Sequence, residues 1–139
     1  MTLQILDASV AVKWFVPAEA GHAEAIGLLE QIRDAPAAFA VPELFFNEML
    51  AVLTRLGGAD AAAVRGYLDA LQDLGLARIG NGRQLLATAA DLACRHGLGG
   101  YDAVYAACAA LTKGRWLTAD ARAHRRIQSL RLSKAVCQA

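Results

Sequence analysis

Short apolar runs, each stopped by an acid, a proline or a glycine, alternate along this chain with longer stretches whose apolar residues recur every three to four positions. Leu3 to Leu6, stopped by Asp7, reads as a buried strand, since a parallel strand covered on both faces need not alternate. Helical spacing follows in Val10, Trp14 and Phe15 up to Pro17, and again in Ile26, Leu29 and Ile32 within Ala23 to Arg33. Phe39 to Val41, ended by Pro42, is a second strand candidate. Phe45, Met49, Val52, Leu53 and Leu56 then form a helical stripe closed by Gly57 and Gly58. Asp60 caps a helix that carries Val64, Leu68 and Leu71 to Leu74, and Leu76 to Ile79 is a third strand. Helices are predicted over Gln84 to Arg95 and, behind Gly99 and Gly100, over Tyr101 to Leu111. Trp116 to Thr118 is a fourth strand, Asp120 opens a helix through about Ser129, and Ala135 to Cys137 is a short last strand.

This alternation implies an α/β chain whose parallel sheet of four to five strands is covered on both faces, all within one domain spanning residues 1–139. With 139 residues, 56% of them hydrophobic, the chain can fill a core and is not a disordered segment. Alanine supplies 31 positions against nine aromatics, which favours close-packed helices. No run approaches the roughly 20 apolar residues of a membrane span, and Met1 to Leu6 lacks the pattern of a signal peptide. A soluble, cytoplasmic protein with no membrane partner is expected. Cys94, Cys108 and Cys137 form no C-x-x-C pair, which argues against a zinc site or a disulfide framework.

The net charge of +1 conceals a segregation: no acid follows Asp120, whereas Arg122, Arg125, Arg126, Arg131 and Lys134 do. A basic terminal segment attracts phosphate, although a solvated helix face accounts for it equally well.

Four acids stand out. In an open parallel sheet the ligand crevice lies beyond the carboxyl ends of the strands, where Asp7 and Asp120 fall by position alone. Asp102 lies in the first turn of the helix behind the glycine pair. Glu48 lies inside a helix among Phe45, Phe46, Met49 and Leu50, with no Lys or Arg within a turn. Each Asp has a plainer reading as a helix cap, because a carboxylate accepts orphan backbone N–H bonds there. A buried, unpaired Glu48, however, invites a basic partner or a cation. If the four converge, an all-oxygen set without His or Cys selects Mg²⁺ or Mn²⁺ over zinc, and such an ion supports hydrolysis of a phosphodiester by bound water.

Ile5-Leu6-Asp7-Ala8-Ser9, Val41-Pro42-Glu43-Leu44 leading to Glu48, Gly99-Gly100-Tyr101-Asp102-Ala103 and Leu117-Thr118-Ala119-Asp120 together resemble the PIN-domain superfamily, and within it the VapC-type toxins of toxin–antitoxin pairs. The resemblance implies a three-layer α/β/α fold and metal-dependent endoribonuclease activity. It implies that Asp7, Glu48, Asp102 and Asp120 are catalytic and hold Mg²⁺ or Mn²⁺, Asp7 and Asp102 most directly, with Ser9 and Thr118 orienting the acids. It further implies an RNA substrate, a homodimer and a cognate antitoxin that points a basic side chain at the acidic pocket. The chain departs from the pattern after Asp120, where relatives place an aromatic or further polar residue and Ala121-Arg122-Ala123-His124 stands here.

Arg122 and Arg126 are one turn apart with Arg125 beside them, so they are candidate contacts for RNA phosphates. Lys13 is a further candidate phosphate contact, and Trp14 a stacking surface or, more simply, a core residue. Two other readings compete. A noncatalytic module with this fold would use the pocket only for recognition. An aspartyl phosphatase or phosphoacceptor needs an acid pair or an Asp with a Lys partner, and Asp7-Ala8-Ser9 offers one acid. Dinucleotide binding fails for want of G-x-G-x-x-G after the first strand.

Overall fold

A computed structural model describes residues 2–56, 58 and 60–138. In chain order the elements are β1 (Gln4–Leu6), α1 (Ala8–Ala11), α2 (His22–Asp34), β2 (Phe39–Pro42), α3 (Leu44–Leu56), α4 (Ala61–Gln72) and β3 (Ala77–Ile79). They continue with α5 (Arg83–His96), α6 (Gly100–Thr112), β4 (Arg115–Thr118), α7 (Ala121–Ile127) and β5 (Ser133–Ala135). Single 3₁₀ turns at Val12–Phe15, Pro36–Ala38 and Gln128–Leu130 link neighbouring elements.

The five strands pair in parallel in the order β3-β2-β1-β4-β5, with Ile5 opposite both Ala40 and Trp116. β1 is therefore central, and β2 beside it is buried along its whole length, which is why neither needs polar alternation. Edge strand β3 leaves Ala77 and Arg78 exposed, so the continuous burial its apolar run implies is confined to the inner strands. Helices cover both faces, giving three layers, α/β/α. Helix α6 crosses β1, β2 and β4 with α5 packed on it, and its run from Ala103 to Ala109 is buried all round. Alanine makes that possible, because a helix enclosed on every side needs small side chains to approach its neighbours closely. Ile5, Leu6, Phe45, Met49, Leu53, Trp116 and Ile127 fill the core between the layers.

Three local features differ from the sequence pattern. The first helix is one α-turn that tightens into a 3₁₀ turn, as short stretches near a helix end often do. The last strand starts at Ser133, two residues before the predicted start at Ala135, because its register against β4 pairs Ser133 with Trp116. It stops at Ala135, and Cys137 has a φ of 57°, outside any strand conformation. Gly114, between α6 and β4, admits no larger residue, since a Cβ there would fall on the carbonyl of Leu3.

Candidate functional site

The chain leaves β1 for β2 and β3 on one side, then returns to place β4 and β5 on the other. The switch point lies between β1 and β4, and a doubly wound sheet opens its crevice there, beyond the carboxyl ends of those two strands. Asp7 directly follows β1 and Asp120 follows β4 by two residues. Both do cap helices: Asp7 Oδ1 accepts the Ser9 N–H at 2.8 Å, and Asp120 Oδ1 accepts those of Arg122 and Ala123 at 3.0 and 3.1 Å. Capping thus sets their orientation without excluding chemistry. Ser9 and Thr118 pin the same two segments, with Ser9 Oγ accepting from Ala119 N and Thr118 Oγ1 from Asp120 N, both at 3.0 Å.

Helix α6 carries Asp102 in its first turn, and α3 carries Glu48 in its interior. Asp7 is buried, and Glu48 and Asp102 are half-buried. Burial pushes the Asp7 carboxyl up to about 7, and the charges of Glu48 and Asp102 add to the rise against two stabilising N–H bonds. Burial also raises Glu48, with Asp102 adding to it and the hydroxyl of Tyr105 opposing it. Asp102 is raised by burial and then by Asp120, while Arg126 pulls it down. The carboxylates that raise Asp7, Glu48 and Asp102 are thus all among the four, with Asp102 at the centre of the set.

None of these carboxylates touches a cation: among the described residues, the ion pair within 4.0 Å is Lys13 with Glu19. Nor do three His, Cys, Asp or Glu side chains stand close enough, among the described residues, to hold a metal ion as they are. The chemistry of the donors nonetheless fits a hard divalent cation. They are oxygen only, Asp102 repels each of the other three, and the most buried of them has no counter-charge in contact among the described residues.

Two openings meet at Asp102. A cavity of about 190 Å³ is lined by Asp102, Asp120, Arg122, Arg126 and Gly97, and a wider one of about 440 Å³ by Glu48, Tyr101 and Asp102 with Gly99 and Gly100. Arg126 donates to the Gly97 carbonyl, which ties the basic helix to the glycine loop. Arg122 and Arg126 therefore face the acids across one cavity, whereas the exposed Arg125 does not line it.

Lys13 is 8% exposed, and its ammonium donates to Glu19 at 2.9 Å and to the Ala20 carbonyl at 2.8 Å. Held by those acceptors, it ties down the loop before α2. Trp14 packs against the core and donates its N–H to Ala25, so it is no free stacking surface.

The sequence pattern passed over two residues. Trp116 Nε1 donates to Asp7 Oδ2 at 2.6 Å, and the Tyr105 hydroxyl donates to Glu48 Oε1 at 2.7 Å. A signal existed for Tyr105, which lies three residues after Asp102 on the same helix face. For Trp116 there was none, since its aim depends on β4 pairing with β1.

Among solved structures, a chain of a toxin–antitoxin complex from Klebsiella pneumoniae superposes with a TM-score of 0.67 at 13% identity, covering 95% of this chain and 96% of that one. PAE2754 from Pyrobaculum aerophilum superposes with a TM-score of 0.62 at 21% identity, over 93% and 86% of the two chains. At such identities the likeness is one of fold. No curated protein matches the chain. The sequence model of the PIN domain matches residues 5–129, a span that runs from within β1 past α7 and holds all four acids, and the chain belongs to that family.

Proposed function

We propose that this protein is a divalent-metal-dependent endoribonuclease, the toxin of a toxin–antitoxin pair, with Asp7, Glu48, Asp102 and Asp120 as its catalytic pocket. One observation carries the reading. Asp7, Glu48 and Asp102 repel one another beyond the strand ends, Asp120 adds to the charge on Asp102, none of them contacts a cation among the described residues, and the most buried has its carboxyl pushed up to about 7. Burying a carboxyl beside other acids is costly, and perturbed groups of this kind cluster at functional sites. PIN-family membership supports a nuclease, and the likeness to a chain of a toxin–antitoxin complex supports the toxin role.

In this reading Asp7 and Asp102 are the main ligands, and Glu48 and Asp120 complete the site. A bound Mg²⁺ or Mn²⁺ supplies an activated water and neutralises charge developing on the scissile phosphodiester. Arg122 and Arg126 hold backbone phosphates at the cavity rim, with Arg125 a further contact on the approach. Ser9 and Thr118 keep the two strand ends in place through their backbone bonds. The same reading includes a homodimer and a cognate antitoxin whose basic side chain takes up the unpaired negative charge of the pocket.

Cleavage of an end-labelled structured RNA tests it. The purified chain is expected to cut with Mg²⁺ or Mn²⁺ and to stop with EDTA, while Asp7→Asn and Asp102→Asn abolish cutting and keep the wild-type circular dichroism. Robust cleavage in EDTA, or full activity in both variants, ends the proposal. Growth arrest on inducing the wild type, and none on inducing Asp7→Asn, separates a toxin from a housekeeping nuclease.

A further inference from the structure

Tyr105 and Trp116 are the largest fully buried side chains among the described residues, 1% and 0% exposed, and each carries one polar hydrogen. A buried phenol or indole needs an acceptor, and the interior of an α/β fold usually supplies a backbone carbonyl. Here both acceptors are carboxylates of the pocket: Asp7 Oδ2 for Trp116 at 2.6 Å and Glu48 Oε1 for Tyr105 at 2.7 Å. The two rings also stack on each other, with centroids 6.3 Å apart and planes 15° from parallel. One continuous unit therefore runs from Asp7 through Trp116 and Tyr105 to Glu48, joining the end of β1 to β4, α6 and α3.

We propose that the stacked Trp116–Tyr105 pair is a positioning device that sets the orientation of Asp7 and Glu48 for ion binding. This rests on the metal-dependent reading above and adds to it two residues that touch neither the ion nor the substrate. Stacking makes the arrangement stiff, because neither ring can turn to release its carboxylate without displacing the other from a close-packed interior. Asp7 has a donor on each oxygen, Ser9 N–H on Oδ1 and Trp116 on Oδ2, so its rotation is fixed from both sides. Each of those oxygens keeps a further lone pair for a cation. Glu48 is held through one oxygen, which leaves Oε2 without a protein donor among the described residues.

Outer partners of this kind set ligand orientation, and their loss typically weakens metal binding about 10–100-fold. The two members differ in burial, and so in consequence. Asp7 is shielded from solvent, so water cannot replace the indole N–H, whereas half-buried Glu48 recruits water in place of the phenol.

The test measures the Mn²⁺ dissociation constant of the full chain by the electron paramagnetic resonance of free Mn²⁺, beside a thermal melt without metal. Trp116→Phe keeps an aromatic ring in the stack and removes the donor to Asp7. It is expected to raise the constant by about 10-fold or more while the chain stays folded. Tyr105→Phe is expected to raise it about 3-fold, the smaller change following from hydration of Glu48. In RNA cleavage both variants lower kcat and leave KM unchanged. Wild-type Mn²⁺ affinity in a folded Trp116→Phe protein overturns the positioning role, and if that variant does not fold, unchanged affinity in Tyr105→Phe does so. Failure of the wild type itself to bind Mn²⁺ removes the metal reading and this inference with it, an outcome distinct from a variant that matches a binding wild type.

Discussion

Asp7 and Lys13 sit six residues apart on one stretch of chain and are buried almost equally, 6% and 8% exposed, yet the fold treats them in opposite ways. Lys13 meets a carboxylate and a carbonyl, so its charge is compensated where it lies. Among the described residues Asp7 meets two N–H donors but no cation, and the charges that raise its pKa are the carboxylates of Glu48 and Asp102. A buried charge given an opposite partner holds a loop in place. One surrounded by like charges strains the fold and is tolerable when something positive arrives from outside. Burial by itself therefore does not separate a structural charge from a functional one, and the sign of the neighbours does.

The largest effect expected from this contrast is in the pH dependence of stability. The folded-state pKa of Asp7, about 7, lies above its ordinary value of 3.8, so between those values the folded protein binds more protons than the unfolded one. Metal-free stability should then fall as pH rises from about 4 to about 7, level off above, and lose up to about 4 kcal/mol from this group. Urea titrations across that range check it, and Asp7→Asn should flatten the slope. An equally steep slope in the variant would mean that Asp7 carries no such strain.

A cation should relieve the same strain. Mn²⁺ at about 100 times its dissociation constant should stabilise the wild type by about 2.7 kcal/mol at pH 7.5 and leave Asp7→Asn nearly unmoved. Differential scanning calorimetry reads the difference, and equal shifts in both proteins would place binding elsewhere.

Removing Lys13 should act in the opposite sense. Lys13→Met keeps the apolar stem and deletes two charge-assisted bonds, which is expected to lower stability by about 2 kcal/mol with RNA cleavage unchanged. Half-exposed Glu19 hydrates freely when its partner is gone, which keeps the loss below that of a fully buried pair. Loss of cleavage with wild-type stability would instead make Lys13 a substrate contact.

The smallest effect belongs to the exposed basic rim. Arg122→Gln or Arg126→Gln should reduce the salt dependence of RNA binding by about one unit of slope each, with less than 1 kcal/mol change in stability. Arg125→Gln, outside the cavity lining, serves as the comparison, and a larger slope change there would move the RNA path along α7.

Most of the architecture was legible in the linear pattern. The order of the strands along the chain, their stops at Asp7, Pro42 and Gly80, and the helices introduced by Gly99, Asp60 and Asp120 all depend on local signals: hydrophobic period, capping oxygens and residues that break regular backbone. The four acids were legible for a related reason, since three of them sit at element starts and the fourth lies unpaired among apolar neighbours.

What the chain alone did not disclose is everything set by pairing between distant segments. The register that starts β5 at Ser133 comes from β4, and the inward turn of Lys13 comes from the loop that brings Glu19 and Ala20 to it. The indole of Trp116 reaches Asp7 across 109 positions because β1 and β4 are neighbours in the sheet, and the hydroxyl of Tyr105 reaches Glu48 across 57. Residue types and periods are written locally, so they fix which elements form and which side chains carry charge. Distances and partners follow from how those elements pack, and only the tertiary structure decides that Asp7 is a strained carboxylate and Lys13 a satisfied anchor.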